Sequence, residues 1–232
     1  MPRSRSSRAA VAVSHHGARR VCSHSIAMLA AMLPACGAHP VAPVAERCPA
    51  NRAVVLASRA DVARVAGCTA LGGLALRSGA ALDVSQLRAL ATVTGDLVIG
   101  PTIAIEEISL NGLRSVSGAI RVAGNGLLQG LYLPALERAG AIEIAGNAAI
   151  ITISLPRLQA VRGALHITDN ASLEMIDLSS LSSIDQDVAI AGDPRLHLLE
   201  AGQLERAAAV RLDAPMLAPD IADRLRATAA LR

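Results

Sequence analysis

The chain has 232 residues, 52% of them hydrophobic, with 22 basic and 19 acidic side chains, a formal net charge of +3 and a pI near 9.0. The basic excess is local: Arg3, Arg5, Arg8, Arg19 and Arg20 precede every acidic residue, and from Cys36 onward 17 arginines face 19 carboxylates, a net charge of about −2. That balance, with no arginine stripe and Tyr132 as the sole aromatic, argues against nucleic-acid binding, and no phosphate loop, zinc spacing or nucleophile elbow is present, so no cofactor, metal or catalytic residue is assigned.

Residues 1–35 form an arginine-bearing leader ending in the apolar run Ile26–Leu33, too short to cross a bilayer as a helix, which predicts a signal peptide. The run closes on Leu33-Pro34-Ala35-Cys36, which resembles the lipobox of bacterial lipoproteins, although Pro34 departs from its usual small or β-branched residue. The resemblance implies cleavage before Cys36, lipidation of that cysteine and a cell-envelope location. Gly37 in the position after it, rather than aspartate, is similar to sorting signals for the outer membrane. Ordinary secretion, or a periplasmic protein with Cys36 free or paired, is the alternative. A Pro/Ala-rich tether over 36–47 follows.

Cys22 falls in the leader and Cys36 in the lipobox, which leaves Cys48 and Cys68 to pair as a disulfide in an oxidising compartment. Between them Ser58 and Asp61 form a capping-box signature, Val62, Val65 and Ala66 share a helical face, and Gly67 is a stop signal. A short helix is expected within an N-terminal cap over 48–71.

From here the chain repeats itself. Gly72, Gly95, Gly118, Gly140, Gly163, Gln186 and Ala208 each precede an x-apolar-x-apolar run, at spacings of 23, 23, 22, 23, 23 and 22 residues. Two and four residues after each origin stand pairs such as Ile120 and Val122, or Leu165 and Ile167, whose alternation predicts a half-buried strand. Ten, thirteen and fifteen after it come triplets such as Leu128, Leu131 and Leu133, a second strand, and eighteen after it stands a leucine in six consecutive units. Asn125, Asn147, Asn170 and Asp193, seven after their origins, predict a corner column, since short amides tolerate left-handed backbone and cap turns. The last segment, 215–232, places Ile221, Ala222, Leu225 and Ala229 on one helical stripe, a C-terminal capping helix. The fold expected is an all-β solenoid, a parallel β-helix of about seven 22–23-residue coils with short N- and C-terminal capping helices.

The pattern LxxVxGxLxIxxNxxLxxLxLxxL behind a cysteine-bracketed helix and Gly67–Leu76 resembles the receptor L domain. That is the single-stranded right-handed β-helix of insulin and epidermal growth factor receptors, fungal cell-wall proteins and bacterial surface lipoproteins. The resemblance covers about Cys48 to Glu205 of the domain at 48–232. It implies a leucine-rich-repeat-like binding module and no enzyme. The near absence of aromatic residues departs from the ligand faces of that family.

Outward positions are the remaining candidates for function. On the first strands Arg121, Glu143 and His166 fall in one column and are expected to form a charge ladder, with His166 a surface histidine beside Glu143. On the second strands the outward columns begin with Asp83, Val84 and Gln86 and hold the candidate ligand-binding face: Gln129, Tyr132, Ile151, Thr152, Glu174, Met175 and Asp177. An apolar centre with a polar rim points to an unknown protein or glycan partner at the cell surface. A structural envelope spacer without a specific ligand is the alternative, and a polysaccharide-active β-helix enzyme is disfavoured by uniform coils without insertions.

Overall fold

A strand whose side chains alternate with period two can bury one face, and a coil of such strands closes on itself when those faces all turn inward. The computed structural model describes residues 48–229, and over them the chain winds into an all-β parallel solenoid of about seven turns. The leader, Cys36 and the tether to residue 47 lie outside the described residues, as does the side chain of Ala229. Among the described residues no helix is long and apolar enough to cross a membrane.

One wall is built from β1 (Ala53–Leu56), β3 (Gly73–Leu76), β5 (Leu97–Ile99), β7 (Ser115–Ala123), β9 (Arg138–Ala145), β12 (Leu165–Thr168), β15 (Asp187–Ala191) and β17 (Ala209–Asp213), hydrogen-bonded in that order. The register Leu97↔Ile120↔Ile142↔Leu165↔Val188 repeats the sequence period, each residue stacked on its equivalent one coil away. A second wall holds β6 (Glu107–Ser109), β8 (Gly130–Tyr132), β10 (Thr152–Ser154), β13 (Met175–Asp177) and β16 (Leu198–Glu200). Its central residues Ile108, Leu131, Ile153, Ile176 and Leu199 stack into the core.

Three features go beyond the sequence expectation. The first coil begins earlier, at β1, whose Val54 and Leu56 pair with Leu74 and Leu76. A third wall runs through β2 (Ala70–Leu71), β4 (Thr92–Val93), β11 (Ala160–Val161) and β14 (Ser183–Ile184), with the leading halves of β7 and β9 between them. It buries Leu71, Val93, Val116, Ala139, Val161 and Ile184, residues that fall just before each new origin. Third, Asp83, Val84 and Gln86 do not extend the second wall. Asp83 accepts a hydrogen bond from the Ser85 N–H at 3.0 Å and starts a 3-10 turn over Val84–Leu87, which turns Val84 into the core.

Both ends of the stack are closed by helices. At the start, α1 (Arg59–Val65) has the full capping box between Ser58 and Asp61 and buries Val62 and Val65, and the Cys48–Cys68 disulfide ties its flanks together. At the far end α2 (Pro219–Ala229) packs against β17 through Ala222 and Leu225, with Ile221 half-buried beside them. A solenoid needs such lids because its terminal coils have no neighbour to cover their apolar interior.

The origin glycines have a steric reason. A Cβ on Gly118 would lie 2.6 Å from the carbonyl carbon of Gly95 and 2.7 Å from its oxygen, one coil away, whereas Gly126 in the next turn has open space around it. Gly118→Ala is expected to lower the unfolding free energy in urea by about 2 kcal/mol or more, and Gly126→Ala to change it by less than about 0.5 kcal/mol; equal effects would refute the close-approach reading.

Candidate functional site

Stacked coils bring equivalent residues within one strand spacing of each other, about 4.8 Å, so any chemistry in this molecule is arranged in columns. Three columns carry polar groups: the buried corner, the outer face of the first wall and the outer face of the second.

At the corner, Thr102, Asn125, Asn147, Asn170 and Asp193 are almost completely buried and form one continuous ladder. The Thr102 hydroxyl donates to Asn125 Oδ1 at 2.9 Å, Asn125 Nδ2 to Asn147 Oδ1 at 2.9 Å, Asn147 Nδ2 to Asn170 Oδ1 at 3.2 Å, and Asn170 Nδ2 to Asp193 Oδ1 at 3.2 Å. Backbone N–H groups of Asn125, Asn147 and Asn170 donate to the same acceptors. Thr102 was not visible in the sequence as part of this column, because only its place seven after Gly95 marks it. The left-handed backbone that the sequence suggested for the amides belongs instead to the residue before each: Gly124, Gly146, Asp169 and Gly192, with φ of 69°, 64°, 58° and 72°. The amides are thereby free to point inward.

Asparagine Nδ2 also donates to main-chain carbonyls: Asn147 to those of Val122 (2.9 Å) and Ala145 (3.2 Å), and Asn170 to those of Ile144 (3.1 Å) and Thr168 (3.0 Å). One coil on, the Asp193 carboxyl takes the equivalent place, and its second oxygen, Oδ2, carries no amide hydrogens to donate. Among the described residues it is a buried side-chain oxygen with no hydrogen-bond partner. A carboxylate cannot donate, while a carboxylic acid can donate as the amide does. Burial accordingly pushes the Asp193 pKa up to about 6, with a smaller contribution from the negative charge of Asp169 and opposed by the hydrogen bonds from Asn170.

The first wall's outer face holds the anticipated charge column, with a different pairing at His166. Arg121 reaches Asp96 at 2.6 Å and Glu143 at 3.6 Å, and His166 stands beside Glu143 in the register as expected, but its Nε2 makes its contact, at 2.8 Å, with Asp187 of the next coil. Asp187 starts its strand one residue before Val188, and that diagonal offset presents its carboxylate to the ring. The hydrogen bond from His166 holds the Asp187 pKa below the usual carboxylate value, and the Ala119 N–H, with Arg121, does the same for Asp96. All of these groups are substantially exposed, where such pairs contribute little stability. No group of three or more His, Cys, Asp or Glu side chains suited to a metal ion occurs among the described residues.

The second wall's outer face gathers the candidate binding residues. Tyr132 and Asp177 lie in one outward column, Ser109↔Tyr132↔Ser154↔Asp177↔Glu200, and Thr152 and Met175 in the other, Glu107↔Gly130↔Thr152↔Met175↔Leu198. Gln129, Ile151 and Glu174 each directly precede a strand at the edge of this face. Asp177 is the most constrained of them, accepting hydrogen bonds from the Ser179 N–H (3.1 Å) and the Ser154 hydroxyl (3.4 Å). Gly130, in the outward column the sequence pattern assigns it, is nonetheless buried, because the Tyr132 ring leans back along the strand over it. A Cβ there would lie 2.8 Å from Tyr132 Oη and 2.9 Å from Cζ. The glycine thus leaves room for the ring, with Thr152 in register beside Gly130 and Ile151 and Leu198 exposed at 38% and 37% on the same wall. No protein-family model, curated protein or solved structure matches the chain.

The sign of the Asp193 effect follows from its raised pKa. Below the unfolded value of 3.8 the acid is protonated in both states, and between there and about 6 the folded form holds the proton more tightly, so stability falls as pH rises through that window. Asp193→Asn is therefore expected to raise the unfolding free energy by about 1–3 kcal/mol at a pH well above the folded pKa and to change it far less near the unfolded one, at 1.36 kcal/mol per pKa unit. A gain independent of pH, or a loss, would show that the carboxyl is not the strained member of the ladder.

Proposed function

We propose that this chain is a non-enzymatic binding module of the bacterial cell envelope, a lipoprotein similar to receptor L domains, held to the membrane by a lipid on Cys36. The flat outer face of the second wall, around Tyr132, takes a protein or glycan partner. The observation that supports this reading most is the Gly130–Tyr132 arrangement. A half-buried tyrosine packed over a glycine offers part of its ring on the sheet surface with its conformational entropy already reduced, which favours binding. Half-buried Thr152 and Met175 and exposed Ile151 extend that surface into an apolar centre with a polar rim.

The lipobox-like Leu33–Cys36 supports the anchoring part of the reading. Two experiments separate the parts. Replacing Tyr132 and Ile151 together by glutamate is expected to abolish capture of a partner from envelope extracts while leaving the circular dichroism spectrum unchanged; undiminished capture would remove this face from consideration. Cys36→Ser is expected to shift the protein from the membrane fraction to the soluble fraction and to eliminate incorporation of labelled palmitate.

A further inference from the structure

The charges on the second wall narrow the partner's chemistry. Elsewhere among the described residues seven carboxylates are ion-paired, Asp61 with Arg64, Asp96 and Glu143 with Arg121, Glu137 with Arg114, Asp185 with Arg206, Asp187 with His166 and Asp223 with Arg226, while Asp83, Asp169, Glu205, Asp213 and Asp220 are in none of these pairs. None of these pairs lies on the second wall. There Glu106 and Glu107 flank the Tyr132 platform on one side and Glu174 and Asp177 on the other, and among the described residues Glu106, Glu107 and Glu174 are in none of these ion pairs; Glu200, one coil further, lines a surface cavity together with Arg224. The strands of this wall and the residue preceding each contain no arginine, and the one basic side chain among them is His197; Arg157 and Arg195 stand beyond the strand ends.

We infer that the second wall docks an extended peptide segment of a partner protein in which arginine or lysine residues flank, on both sides, a centre whose wall-facing side chains are apolar. The inference rests on the binding reading above and chooses within it. The face is five strands wide, about 20 Å along the solenoid axis, which is the length of about six extended residues at roughly 3.3 Å each. Apolar side chains of such a segment would cover the Tyr132 ring, Met175 and Leu198, and its cations would meet the glutamates on either side. An acidic envelope polysaccharide meets the same glutamates as like charge and is repelled. A neutral glycan stacks on a ring, but it leaves these carboxylates unneutralised and gains little from Ile151 and Leu198.

The test uses the full-length protein and synthetic probes: a peptide with two arginines at each end of an alternating leucine–serine centre, its counterpart with glutamates in place of the arginines, dextran and polygalacturonate. The arginine peptide is expected to bind at least about tenfold more tightly than the glutamate peptide, with an affinity that falls as salt is raised. Glu106→Gln/Glu107→Gln/Glu174→Gln and, separately, Tyr132→Ala are each expected to weaken that binding about tenfold, while Asp96→Asn/Glu143→Gln on the first wall leaves it unchanged. Equal loss on the two walls would mean non-specific attraction to an acidic protein and would overturn the inference. Binding of dextran or polygalacturonate that Tyr132→Ala abolishes would overturn the peptide assignment while keeping the face as a binding site. Absence of binding by every probe would overturn the peptide assignment, and the capture experiment on the Tyr132 and Ile151 variant then decides whether the face binds anything.

Discussion

Everything in this molecule depends on one requirement: each coil must hydrogen-bond to the next in parallel register at a single strand spacing. That requirement makes side chains stack on copies of themselves, so each column has to be filled by residues that tolerate a like neighbour at about 4.8 Å. Aliphatic columns satisfy it by dispersion and burial, as in Ile108, Leu131, Ile153 and Ile176. Asparagine satisfies it by self-complementarity, since one amide's Nδ2 donates to the next one's Oδ1. Glycine satisfies it where the backbones come closer than a Cβ allows.

The asparagine ladder also has a direction. Every rung donates toward the C-terminal end, from the Thr102 hydroxyl to the Asp193 carboxyl. Such a chain needs a donor at one end and an acceptor at the other, and threonine and aspartate are placed accordingly. The last acceptor carries a second oxygen that is buried and, among the described residues, without a hydrogen-bond partner, and burial raises the pKa of that carboxyl. A uniform repeat therefore acquires a titrating group where the repeat stops.

The same geometry separates structure from function. Inward positions are committed to stacking, and on the first wall the outward Arg121, Glu143 and His166 are held in ion pairs that bridge adjacent coils. On the second wall the outward positions bridge nothing of that kind, apart from the Asp177 hydrogen bonds, and it is there that the aromatic ring, exposed aliphatic side chains and unpaired glutamates coincide. A surface that a fold does not use for its own cohesion is available for another molecule.

How much of this was legible depended on whether periodicity carried it. The coil length, the two strand columns, the column at Asn125, Asn147, Asn170 and Asp193, the capping box at Ser58 and the Cys48–Cys68 pair could all be read from spacing and residue type, because parallel stacking imposes its period on the chain. The first coil at Val54 and Leu56 was missed because a helix replaces its second strand and shortens its period, and the third wall because its apolar residue sits against the next origin. Only the tertiary structure decided which neighbour each surface group chooses. His166 turns to Asp187 instead of Glu143, Asp83 curls into a 3-10 turn, and the Tyr132 ring settles over Gly130. Periodicity specifies a residue's column and facing, but the choice among neighbours within a column is a competition of a few ångströms and small energies, which is settled in three dimensions.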